Sequence, residues 1–145
     1  MPLTKVSYSL IQGAYVNALD FGADNTGVTD STIAIQNAIS QAITLGQVVF
    51  LPAGTYKVTD TISIPSYTQI IGEHYNMNAE GYGVQPRGTK ILFQPSSAKS
   101  LFVASGSPPF GPFRSSYAIQ NLYLYGNSTN SSGNSVYAID VDSIA

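Results

Sequence analysis

The chain has 145 residues, enough for one compact unit with a real core, and six basic against eight acidic residues leave it a net charge of −2. The basic residues are scattered and form no stripe that would displace counterions, which argues against nucleic acid as a partner. There is no cysteine, hence no disulfide framework and no thiolate metal site, and no run of about 18 apolar residues long enough to span a membrane.

Only 10% of the residues are charged. Polarity comes from Ser, Thr, Asn, Gln and Tyr, a surface that suits hydroxyl-rich partners and long stacked strands.

Residues 1–16 show weak periodicity and no apolar core of the secretory kind, so they read as an extended arm or neck. Residues 17–21 have strand character, with Leu19 and Phe21 on one face. Residues 22–29 are turn residues and predict a loop. Asp30 is placed to cap a helix running from about Ser31 to about Leu45. Its apolar stripe is Ile35, Ala38, Ile39, Ala42 and Ile43, and Gly46 stands where a left-handed glycine would end it.

Beyond Gly46 the pattern changes to short strands, at 47–51, 61–64, 68–71, 90–93, 101–103, 119–125 and 136–141. Loops rich in Gly, Pro, Asn and Ser separate them, the longer ones at 73–88, 105–116 and 127–134. Phe50, Ile70 and Leu92 lie 20 and 22 residues apart, a spacing typical of stacked β-coils. A two-sheet sandwich would also give many short strands, but no Asn-Gly or Asp-Gly hairpin turn joins adjacent ones.

Three ordered blocks carry a resemblance. The first is Asp20-Phe-Gly-Ala23, then Thr29-Asp30-Ser31-Thr32 and Ala34-Ile35-Gln36-Asn37-Ala38-Ile39. The second is Val48-Val-Phe-Leu-Pro-Ala-Gly-Thr-Tyr56, and the third is Gln69-Ile-Ile-Gly72. Together they resemble the N-terminal part of the pectate-lyase-like superfamily over residues 17–145. The resemblance implies an all-β right-handed parallel β-helix with one helix capping its N-terminal mouth. A cap answers a physical need, because the first coil otherwise exposes an unpaired strand edge and an apolar stack. Phe50 and Tyr56 are expected to fill the first layers.

Residues 3–13 resemble the lead-in of bacteriophage tailspike and tail-fibre proteins. That likeness implies a virion tail protein that reaches the outside by host lysis and forms a homotrimer beside other phage tail proteins. Its implied target is bacterial surface polysaccharide, bound and in some full-length members depolymerised. The alternative is a secreted polysaccharide lyase or glycosidase of the same superfamily. About four to five coils are expected, ending without a closing cap, so this piece is expected mainly to cap and nucleate a longer β-helix and not to be catalytic alone.

Candidate chemistry is sparse. Asp140 and Asp142 are two apart on a predicted strand and share a face, where they could hold a sugar or a cation or act as an acid/base pair; they could equally be solvated strand residues. Tyr123 and Tyr125 alternate with Leu122 and Leu124 and share the outer face, to stack on glycan, to pack on a neighbouring subunit, or simply to be wet. Asp20 and Asp24 read as turn residues, and His74 beside Glu73 as a loop histidine. One histidine and no cysteine predict no zinc site, and no phosphate-loop or dinucleotide glycine pattern predicts a cofactor.

Overall fold

The computed structural model describes residues 13–74, 88–105, 116–126 and 139–140. Eleven strands and one α-helix make up this part, and every strand pairing is parallel.

The chain runs β1 (Val16–Asn17), a 3-10 turn (Ala18–Phe21), β2 (Thr26–Asp30), then α1 (Thr32–Leu45). Next come β3 (Val49–Leu51), β4 (Gly54–Val58), β5 (Ile62–Pro65), β6 (Gln69–Gly72) and β7 (Thr89–Phe93). It closes with β8 (Phe102–Ser105), β9 (Ala118–Gln120), β10 (Leu122–Gly126) and β11 (Ile139–Asp140). The first sheet is ordered β1-β3-β6-β9, the second β10-β7-β4-β2 and the third β11-β8-β5. The chain therefore visits the three sheets in cyclic order. In the opening pass α1 stands in sequence where later passes place a third-sheet strand.

Register follows the period-2 alternation of strand side chains. Val16, Val49, Ile70 and Ile119 align across the first sheet, and Tyr56, Ile91 and Leu124 across the second. Ile62 and Phe102 align across the third. Val49, Tyr56, Ile62 and Ile91 have no exposed surface. Each such aliphatic side chain contributes about 1.5–3 kcal/mol from area removed from water. Tyr56 also satisfies its hydroxyl, which donates to Pro52 O at 2.9 Å. Burial foremost, then the negative charge of Glu73, pushes its phenol well above the usual range.

The helix matches its expected span, and Gly46 at φ 64° ends it by donating to Ala42 O and Ile43 O. Ile35, Ala38, Ile39 and Ala42 are buried, but Ile43 is 43% exposed and falls outside the packed stripe. Asp30 ends β2 and is not the cap residue; Ser31 holds that position, and its hydroxyl donates to Asp24 O instead of capping the helix. The helix contacts β1, β3 and β5. Its Gln36 Nε2 donates to Ser63 O at 3.0 Å, and Ser63 N donates to Gln36 Oε1 at 2.9 Å. β5 is the edge strand of the third sheet, so the side chain stands where a neighbouring strand would be.

Several expectations need correction. Of the predicted strand 17–21 only Asn17 is strand, in β1: its Oδ1 accepts from Leu19 N at 3.0 Å and Gly22 turns at φ 87°, which tightens 18–21 into a 3-10 turn. The predicted loop 22–29 contains most of β2, held by pairing with β4 and not by apolar pattern. The run 119–125 is two strands in two sheets, broken at Asn121 with φ 56°. β4 falls between the predicted strands 47–51 and 61–64. Phe50 lies on the outer side of the first sheet against Tyr15, because burial of Val49 and Leu51 turns it outward. The aligned positions are Val49 with Ile70 and Tyr56 with Ile91, so Phe50 and Leu92 do not mark the repeat. Among the described residues the first two sheets hold four strands each and the third holds three, so the chain makes four passes, the opening one without a third-sheet strand. Residues 1–12, 75–87, 106–115, 127–138 and 141–145 lie outside the described residues, and with them most of the predicted arm and long loops.

Candidate functional site on the outer face of the second sheet

In β7 and β10, Thr89, Ile91 and Phe93 point inward with Leu122 and Leu124. The alternate positions Lys90, Leu92, Tyr123 and Tyr125 therefore face outward. Register puts Tyr123 beside Lys90 and Tyr125 beside Leu92, and continues to Thr55 and Lys57 on β4. The expected common face of Tyr123 and Tyr125 is present.

Their ring centroids are 6.2 Å apart and tilted by 45°. Lys90 Nζ lies 4.3 Å from the Tyr125 centroid and 5.5 Å from that of Tyr123. One ammonium thus sits against the negative π-faces of both rings, an attraction of about 0.5–1 kcal/mol at exposed sites. Tyr125 keeps 39% of its surface exposed. Aromatic faces, phenol hydroxyls and a cation on a flat strand surface can stack on pyranose rings and attract carboxylates. Lys90 was missed as a site residue. Its signal was the alternation Lys90-Ile-Leu-Phe93, which matches Tyr123-Leu-Tyr125 in phase.

The carboxylates are elsewhere. Asp140 lies in β11, paired with Val103 in the third sheet, whereas Tyr123 and Tyr125 lie in the second. Asp142 lies outside the described residues. Asp24 accepts from Thr26 Oγ1 at 2.6 Å, Thr26 N at 2.9 Å, Thr29 N at 2.6 Å and Val28 N at 3.1 Å. The Thr26 hydroxyl first, then these backbone donors, hold its carboxyl far below the usual range. Asp30 accepts from Thr32 Oγ1 at 2.6 Å and Thr59 Oγ1 at 2.8 Å, with both backbone N–H groups at 3.2 Å. Partial burial pulls its pKa up, and these donors together outweigh burial and lower it. Both carboxylates are satisfied by structure and have a fold role.

Glu73 Oε2 accepts from Ala53 N at 2.8 Å, and His74 contributes its backbone oxygen to Thr89 N at 2.6 Å. Among the described residues no group of three or more His, Asp or Glu could hold a metal ion, and no helix is long and apolar enough to cross a membrane.

The family described as "Rhamnogalacturonase A/epimerase, pectate lyase-like" matches residues 15–140. Curated relatives include mannuronan C5-epimerase AlgE1 of Azotobacter vinelandii, 31% identical over 86% of this chain and 9% of its own length. A glucan 1,3-beta-glucosidase of Cochliobolus carbonum is 38% identical over 47% of this chain and 9% of its own length. Among solved structures, ORF18 of Geobacillus virus E2 aligns with a TM-score of 0.57 at 25% identity, over 86% of this chain and 22% of that one. The A-module of AlgE4 from Azotobacter vinelandii aligns with a TM-score of 0.62 at 24% identity, over 86% of this chain and 33% of that one, and speaks for the fold. The chain thus spans about a tenth of these curated relatives. With a match over nearly its whole length, the chain belongs to the pectate lyase-like family.

Proposed function

We propose that this chain is the N-terminal part of a phage tailspike or tail-fibre protein, in which a right-handed parallel β-helix meets bacterial surface polysaccharide. The single observation that carries the polysaccharide reading is the outward cluster of Tyr123, Tyr125 and Lys90. The likeness to a virus protein supports the phage origin, and the names of the relatives, glucosidases and mannuronan epimerases, support a glycan partner. In this reading α1 seals the mouth of the solenoid, three chains lie side by side, and the assembly sits in the virion tail with other tail proteins.

The test is titration of the chain with host capsule oligosaccharide and with oligomannuronate. The double substitution Tyr123→Ala/Tyr125→Ala is expected to weaken binding about tenfold, from roughly 0.5–1.5 kcal/mol per aromatic contact, and to leave the fold intact. Unchanged affinity would remove this face from the proposal. Light scattering is expected to give the mass of three chains.

The activities in the relatives' names favour a second reading, a polysaccharide-cleaving enzyme. Release of reducing ends from host polysaccharide, abolished by Asp140→Ala, would select it.

A further inference from the structure

Tyr67 occupies the left-handed backbone region at φ 68°. A bulky side chain there is disfavoured by contact between Cβ and the following carbonyl. Packing does not compensate, since the residue is 57% exposed. The turn itself is held by other groups. Thr68 N and Oγ1 both donate to Pro65 O, and Tyr67 N donates to Ser116 O at 2.9 Å. Glycine or asparagine would serve that backbone better, so the tyrosine ring needs a reason of its own.

Tyr67 lines a cleft of about 380 Å³ between the end of α1 and the turn from β5 to β6. Its walls include Ile43, Gln47, Val48, Ser66 and Gln69, and every lining residue is uncharged. The volume lies in the range of small-ligand sites. Ile43, which leaves the buried stripe of the helix, and Val48 give the cleft its aliphatic floor. An aromatic wall, an aliphatic floor, two side-chain amides and a serine hydroxyl match the alternating apolar and hydroxyl faces of a neutral pyranose. An anionic sugar would meet no cation in this cleft, in contrast to the second sheet with Lys90.

We propose that the Tyr67 cleft is a separate binding site for one neutral hexose unit of a glycan. It shares no residue with the Tyr123/Lys90 face and stands independently of the reading given to that face.

The test is a titration of the chain with neutral gluco-, galacto- and manno-oligosaccharides, followed by NMR, alongside thermal melts. Tyr67→Asn is expected to weaken the best neutral ligand about tenfold while raising the melting temperature by about 3–6 °C through relief of backbone strain. Gln69→Ala is expected to weaken the same ligand without changing the melting temperature. Tyr123→Ala/Tyr125→Ala is expected to leave neutral binding unchanged, which separates the two sites. The proposal is overturned if no neutral oligosaccharide perturbs the cleft, if Tyr67→Asn binds as tightly as wild type, or if that variant melts lower.

Discussion

Gln36 and Ser63 pair as residues of adjacent strands do, the helix side chain supplying both the donor and the acceptor that the edge of β5 lacks. A strand edge left open next to a helix would strand one N–H and one C=O away from a partner, or recruit another chain. The amide of glutamine is the side chain that reproduces a peptide group. The position of Gln36 in Ala34-Ile35-Gln36-Asn37-Ala38-Ile39 thus has a physical function: Ile35 and Ile39 are buried in the core while Gln36 pairs with the edge of β5.

Gln36→Leu is therefore expected to destabilise the chain by about 1–3 kcal/mol, the cost of orphaning partly buried polar groups, read from urea unfolding. Gln36→Glu is the sharper variant. It keeps an acceptor for Ser63 N but sets a carboxylate against Ser63 O. Its deficit relative to wild type is expected to shrink below about pH 4, when a protonated glutamate can donate. A deficit that does not change with pH would show that the donor to Ser63 O is not what the substitution removes.

Acid should act oppositely on the wild-type chain. Asp24 and Asp30 both hold folded pKa values below the ordinary 3.8. As pH falls, the unfolded chain takes up these protons first, so stability drops. Their contribution is complete above the unfolded pKa and is lost as pH falls through the folded values. Melting temperature is expected to be flat from about pH 7 to 5 and to decline below about pH 4. Asp24→Asn/Asp30→Asn should be less stable at neutral pH and should flatten that decline; an equally steep decline would assign acid sensitivity to other carboxylates.

The parts of this fold that were legible in sequence share one property: their signal is local and one-faced. The helix from Thr32 to Leu45 shows an apolar stripe and a terminal glycine, and both mean what they say. Tyr123 and Tyr125 alternate with leucines and lie outward as expected. Failures arose where partners far along the chain decide. Val48-Val-Phe-Leu51 is apolar throughout, so only pairing with β6 shows that Phe50 faces out. The run 119–125 reads as one strand because Asn121 can adopt left-handed backbone without announcing it. The corner packs so closely that only glycine fits at 72: a Cβ there would strike Asn121 O and come within 2.6 Å of Leu122 Cδ2. β2 has almost no buried face, and its existence depends on β4. Lys90 was legible in phase but not in partner, since 33 residues separate it from Tyr123.

Lys90 offers a discriminating test of the polysaccharide reading. Its ammonium touches both tyrosine rings, so it can preorganise them and also supply charge to a ligand. Lys90→Met keeps the aliphatic stem over the rings and removes only the charge. Stability is expected to change by less than about 1 kcal/mol, the scale of an exposed cation–π contact. Affinity for oligomannuronate is expected to fall several-fold at low salt, and the difference from wild type should vanish near 1 M salt, where screening is nearly complete. A loss that persists at high salt would mean that Lys90 acts by holding Tyr123 and Tyr125 in place, since screening weakens attraction to a carboxylate far more than contact between a methylene stem and a ring.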